Sequence, residues 1–290
     1  MKKLIALTLL SLIASLTVNA QDMAVPDSLN GWEIGWVAGL NGSQASYSNW
    51  SQGGINNVAF TGNSAFTATY KKQRFSYIFA LNTRYGQTKI ESEGVRKTDD
   101  RLSIKNRFLY DLGDETDGDF KLFGNINFRT QFAEGFEYAE APDENDILIS
   151  KFMAPGYLSE NAGLAYVPSE NFSFEAGLGL QQTFVRDESL STLYGLDVGE
   201  TFKNEAGLTF GINYQKTLAS NLSLSSSVET FTNMNKAVSS TDLIVINQIT
   251  GKINDFMNAS LRLDFIYDDD YSKELQVAQV LSLGVSFILI

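Results

Sequence analysis

From Phe75 to Gly86 the chain reads FSYIFALNTRYG. Phe75, Tyr77, Phe79, Leu81 and Tyr85 share one parity; Ser76, Asn82 and Arg84 share the other. Such alternation defines a strand whose two faces meet different solvents. The same period runs through Val58–Tyr70, where Val58, Phe60, Phe66, Ala68 and Tyr70 oppose Ala59, Thr61, Asn63, Ala65, Thr67 and Thr69. It recurs in Phe120–Phe132, Phe202–Gln215, Met257–Tyr267 and Leu281–Leu289. Read along the chain, it predicts about twelve strands, over 33–47, 57–70, 74–88, 99–111, 119–132, 156–167, 171–186, 200–215, 221–232, 241–252, 257–267 and 276–289. The period is most obscured in 241–252, where Leu243, Ile244, Val245 and Ile246 are all apolar.

Length decides what such strands are for. Strands of ordinary soluble sheets run about 5–6 residues, whereas a tilted strand crossing a bilayer needs about 9–11. Aromatics stand near the ends of the apolar faces: Trp32, Trp36, Tyr70, Tyr85, Tyr110, Tyr166, Tyr214 and Tyr267. Lipid-water interfaces favour such girdles. Pro26, Pro142, Pro155 and Pro168 all fall between strands or beside a strand end, where no ladder donor is lost. Connections alternate between tight turns, as at 71–73 and 167–170, and longer loops, as at 44–57, 87–99, 133–155, 187–199 and 268–275. The expected fold is therefore all-β: a closed antiparallel transmembrane β-barrel of about twelve strands. Closure is required because an open sheet edge in hydrocarbon leaves unpaired N–H and C=O groups, each costing several kcal/mol.

The N-terminus gives the address. Lys2 and Lys3 precede the apolar run Leu4–Leu16, and Val18-Asn19-Ala20 offers small residues for cleavage. This pattern reads as a secretory signal peptide over 1–20. A periplasmic N-terminal segment is expected over 21–32 and the barrel over 33–290. An even strand number places both termini on the periplasmic side of an outer membrane.

Composition narrows function by exclusion. The chain has neither His nor Cys, so His-based triads, Cys nucleophiles, imidazole-ligated zinc and disulfides have no material. No cofactor, metal site or catalytic residue is expected. The formal net charge is −12, and −14 without Lys2 and Lys3; such acidity disfavours nucleic acid. Outer-membrane lipids and lipopolysaccharide are the expected surroundings.

With apolar faces turned to lipid, the polar faces line a lumen. Arg84, Arg101, Lys105, Arg107, Lys121 and Arg129 form a basic arc; Glu160, Glu175, Lys203, Glu205, Glu229, Arg262 and Asp264 form a mostly acidic one. Two readings stay open. Opposed arcs set up a transverse field that orders and selects small polar solutes in a porin-like pore. Alternatively, the charges neutralise each other in a closed lumen, and the barrel scaffolds an envelope complex or adhesion. A His-independent membrane enzyme is a third class. Acidic clusters such as Asp99-Asp100 and Asp268-Asp269-Asp270 match no EF-hand spacing and read as solvated loop charge.

Four motifs occur in order: Ser48-Asn49-Trp50-Ser51-Gln52-Gly53-Gly54, Arg96-Lys97-Thr98-Asp99-Asp100, Met153-Ala154-Pro155-Gly156-Tyr157 and Ile266-Tyr267-Asp268-Asp269-Asp270. Together they resemble a Bacteroidota outer-membrane family catalogued only as a domain of unknown function. The resemblance implies a barrel and no catalytic residues. Asn49, Trp50, Gly53, Gly54, Asp99 and Asp100 are the outer-loop positions it singles out.

Overall fold

The structure, a computed structural model, describes residues 25–26, 28–45, 56–91, 93–113, 119–139, 145–268 and 272–290. Among them are fourteen strands: β1 (Gly31–Ala45), β2 (Asn57–Lys72), β3 (Phe75–Ile90), β4 (Gly94–Asp111), β5 (Phe120–Thr130), β6 (Gly135–Glu137), β7 (Ile147–Ser150), β8 (Gly156–Ser169), β9 (Phe172–Phe184), β10 (Phe202–Ala219), β11 (Leu222–Asn233), β12 (Asp242–Lys252), β13 (Met257–Asp268) and β14 (Ser272–Ile288). Twelve close one antiparallel barrel in the order β1-β14-β13-β12-β11-β10-β9-β8-β5-β4-β3-β2; β6 and β7 form a separate hairpin.

The alternation has its physical counterpart in burial. Trp32, Ile34, Trp36 and Leu40 on β1, Leu208, Phe210 and Ile212 on β10, and Leu281 and Leu283 on β14 are exposed. Thr61, Ser76, Asn125, Ser173, Ser227, Gln248 and Ser260, on opposite faces of their strands, are buried. A water-soluble sheet does the reverse. An apolar belt around a polar interior suits a solvent of acyl chains.

Rings gather in that belt near the end carrying both termini. Trp32 lies 4.9 Å from Tyr70, Tyr77 lies 5.0 Å from Phe108, and Phe120 lies 5.1 Å from Tyr166, centroid to centroid. Such offset contacts add to area burial, and amphipathic rings sit well at a lipid-water interface.

Turns at this terminal end are short, at 73–74, 170–171 and 220–221. The opposite end, here the loop end, carries the longest links. Three segments predicted as loops differ. In 268–275, β13 runs to Asp268 and β14 starts at Ser272, with a register shift between Ile266 and Asp268 that hides the alternation. The 87–99 stretch is mostly strand, with β3 running to Ile90 and β4 starting at Gly94. Their register shifts between Gly86 and Gln87, and that bulge hides the alternation. The 133–155 stretch holds β6 and β7. Leu148 of β7 packs with Tyr194 onto a small core of Ala154, Val185, Leu190 and Leu196, built around the 3-10 helix Glu188–Tyr194. The motif containing Asn49, Trp50, Gly53 and Gly54 lies outside the described residues, as does the expected signal peptide.

Candidate functional site

Strand phase decides where each charge points. Arg84 on β3, Arg101, Lys105 and Arg107 on β4, and Lys121 and Arg129 on β5 share the inward face with Ser76 and Asn125. Glu175 on β9, Lys203 and Glu205 on β10, Glu229 on β11, and Arg262 and Asp264 on β13 also face inward. Glu160 does not. The register pairs it with Ile126 of β5 and Leu180 of β9, both on the outward face. Its polarity suggested the lumen, but Leu158, Leu164 and Tyr166 fix β8's phase, and a pleated strand cannot turn one side chain alone. Glu160 borders an outward groove of about 590 Å³, where small Gly124, Ala162 and Ala206 sit among Phe108, Leu178 and Leu180.

The lumen is layered. Near the terminal end, Leu109, Phe123 and Ala165 form an apolar cluster, against which Val25 of the N-terminal segment and Val167 pack. Lys121 pairs with Asp111 beside it. Two residues along β4 from Leu109, Arg107 is 2 % exposed. Its Nη1 donates to Asn125 Oδ1 and Glu175 Oε2, each at 3.2 Å, and its Nη2 binds Glu175 Oε1. This fork reaches from β4 over β5 and β8 to β9, inside the lumen. A buried ion pair of this kind is costly to break singly, since either partner alone is a buried charge.

Towards the loop end the lumen admits solvent: Glu229 is exposed on its inward face. Here the charges differ from two opposed arcs. Apart from Glu229, the acids on these strands are matched. Asp99 lies 2.8 Å from Arg84, and Asp264 lies 2.8 Å from Arg262. Glu205 takes Lys203 at 3.0 Å, Lys236 at 3.2 Å and Asn233 at 2.7 Å. Arg101, Lys105 and Arg129 make no hydrogen bond or ion pair among the described residues. Arg101 stands opposite Arg84 in register and in the field of Arg129, Arg84 and Arg262, with Asp99 acting in the opposite sense. Arg129 stacks over Tyr157, 4.7 Å from the ring centroid.

The outer-loop pair divides. Asp99 joins the lumen through Arg84. Asp100, on the other face, accepts from the backbone N–H groups of Phe132 and Ala133, each at 2.8 Å, and from Lys97 Nζ at 3.0 Å. It anchors the start of the 131–155 link. The lumen role of Asp99 is visible in retrospect, since it shares parity with Arg101. Asn125 and Val25 carried no signal, because their significance lies in cross-barrel contacts.

The geometry defines a barrel built to span a membrane. Residues 43–136 match the model of a family described as a protein of unknown function, DUF3078. That span includes the first two of the four motifs. No curated protein matches the sequence. Among solved structures, the chain is similar to the translocator domain of autotransporter NalP from Neisseria meningitidis, at 14 % identity, 92 % of this chain, 90 % of that one and TM-score 0.41. It is also similar to the COG4313 outer membrane channel from Pseudomonas putida F1, at 12 % identity, 91 % and 96 % coverage and TM-score 0.43. The KdgM porin aligns at 8 % identity, 87 % and 98 % coverage and TM-score 0.33.

Proposed function

We propose that this chain is an outer-membrane barrel, its termini on the periplasmic side, that binds or passes small polar solutes through its lumen. One observation carries the reading: a solvent-reached, charged loop-end lumen stands above a packed layer held by Arg107, Asn125 and Glu175. Such a layer is a gate if it opens. The rival reading, a non-conducting scaffold, draws on the same layer and on Val25 packed beneath it.

Conductance in planar bilayers separates the two. The wild type is expected to be silent or to open in small, rare steps. Replacing both partners, Arg107→Ala with Glu175→Ala, leaves no unpaired buried charge and removes the fork. The channel reading predicts at least about tenfold more open time, the equivalent of about 1.4 kcal/mol. A double variant that folds and stays silent would favour the scaffold.

A further inference from the structure

We infer that the loop-end half of the lumen is a binding site for a small oxyanion, a phosphate, sulfate or carboxylate group, held between Arg101 and Arg129 with Lys105 beneath. The inference rests on the solute-binding reading above and names its ligand class. Three observations carry it.

The first is charge balance. Arg84 and Arg262 each have a carboxylate, whereas Arg101, Lys105 and Arg129 have none among the described residues. The wall of β3 to β5 therefore holds three uncompensated cations inside a chain whose formal net charge is −12. The second is crowding. Arg84 faces Arg101 directly across the β3-β4 ladder. Arg129 pairs with Ser103, which places it diagonally from Arg101 on the same face, within reach of long side chains. Like charges so arranged repel each other, and an anion between them reverses the sign of that interaction. The third is preorganisation. The Arg129 guanidinium carbon lies over the Tyr157 ring, 4.7 Å from its centroid, which holds the group in place on the wall. Guanidinium edges match oxyanion geometry through paired, charge-assisted hydrogen bonds. Glu229, an inward-facing acid unpaired among the described residues, lies on β11, on the other side of the barrel from β4 in strand order.

The test is calorimetric titration of inorganic phosphate into the full chain refolded in detergent, in low-chloride buffer, with thermal unfolding recorded alongside. The wild type should bind phosphate and gain thermal stability from it. The Arg101→Gln, Arg129→Gln double variant should bind about tenfold or more weakly, yet unfold no earlier than wild type without phosphate, because repulsion has been removed. Lys252→Gln, at the terminal end of β12, should bind like wild type. Absent binding in the wild type, or equal binding in the double variant, overturns the inference. Conductance keeps the two proposals apart. A silent barrel that binds phosphate through these arginines removes passage and keeps the site. A conducting barrel whose ion selectivity ignores both substitutions removes the site and keeps passage.

Discussion

Ile78 and Glu160 show how strongly a strand's phase overrides the chemistry of a single residue. Ile78 is apolar, yet it faces the lumen opposite Arg107 and is 5 % exposed. Glu160 is charged, yet it lies among lipid-facing side chains. It makes no hydrogen bond or ion pair among the described residues. A carboxylate on that surface is a cost that depends on depth. Replacing Glu160 with Leu is expected to stabilise the barrel by about 1 kcal/mol, read by denaturant unfolding in lipid vesicles. A loss of stability would mean that the carboxylate has a partner in the membrane. Outside the barrel wall, Asp187 caps the 3-10 helix Glu188–Tyr194. Hydrogen bonds from Lys151 and then Ser189 hold its carboxyl at about 2, below the ordinary 3.8. Its ionised form therefore supports the cap fully above about pH 3.8, and that support is lost as pH falls towards 2. Protease cleavage in the 185–201 link should rise across that window. Cleavage that is flat between pH 4 and 2, with an acid-stable protease, would contradict the assignment.

At the scale of elements, what the sequence made legible follows from periodicity. All twelve barrel strands were readable, because lipid on one side and a polar lumen on the other impose a two-residue period for the full crossing. β6, β7 and the 3-10 helix Glu188–Tyr194 were not, being short and packed on their own links without two solvents to pattern them. The extension of β3 and β4 was lost at the bulge by Gly86, where a Cβ would come within 2.6 Å of Thr61 Oγ1 and 2.8 Å of Thr98 Oγ1. In the lumen, strand phase alone gave the basic wall. Arg262–Asp264 and Lys203–Glu205 are same-strand neighbours two residues apart, whereas the pairing of Asp99 with Arg84 and of Glu205 with Asn233 and Lys236 needed distances between separate segments that no one-dimensional pattern contains. Among the described residues the β1-β14 seam is the shortest ladder of the barrel, running from Val37↔Ile288 to Leu40↔Val285, with Leu289 N–H donating to Trp36 O at 2.8 Å beyond it. Hydrogen exchange should therefore be faster in the 41–45 half of β1 than in the β2-β3 hairpin, whose register is continuous from Asn57↔Ile90 to Lys72↔Phe75. Equal protection would contradict a short seam.

For the whole molecule, one inversion organises everything else: apolar side chains outside, polar ones within, and a ladder closed on itself. Closure satisfies the backbone where water is absent. The lumen can then hold charge, with the Arg107–Glu175 fork inside it, and the loop-end arginines can await an anion. The chain contains no cysteine, so single cysteines placed through 76–85 report alone. Labelled with a fluorophore in lipid vesicles, positions 77, 79, 81 and 85 should be quenched by lipid-borne nitroxides, while 78, 80, 82 and 84 should not. Position 78 is decisive, because its native side chain is greasy and its predicted surroundings are not lipid. Alternation in this phase is the result the account predicts. Quenching at 78 equal to that at 77 and 79, or no alternation at all, would contradict it.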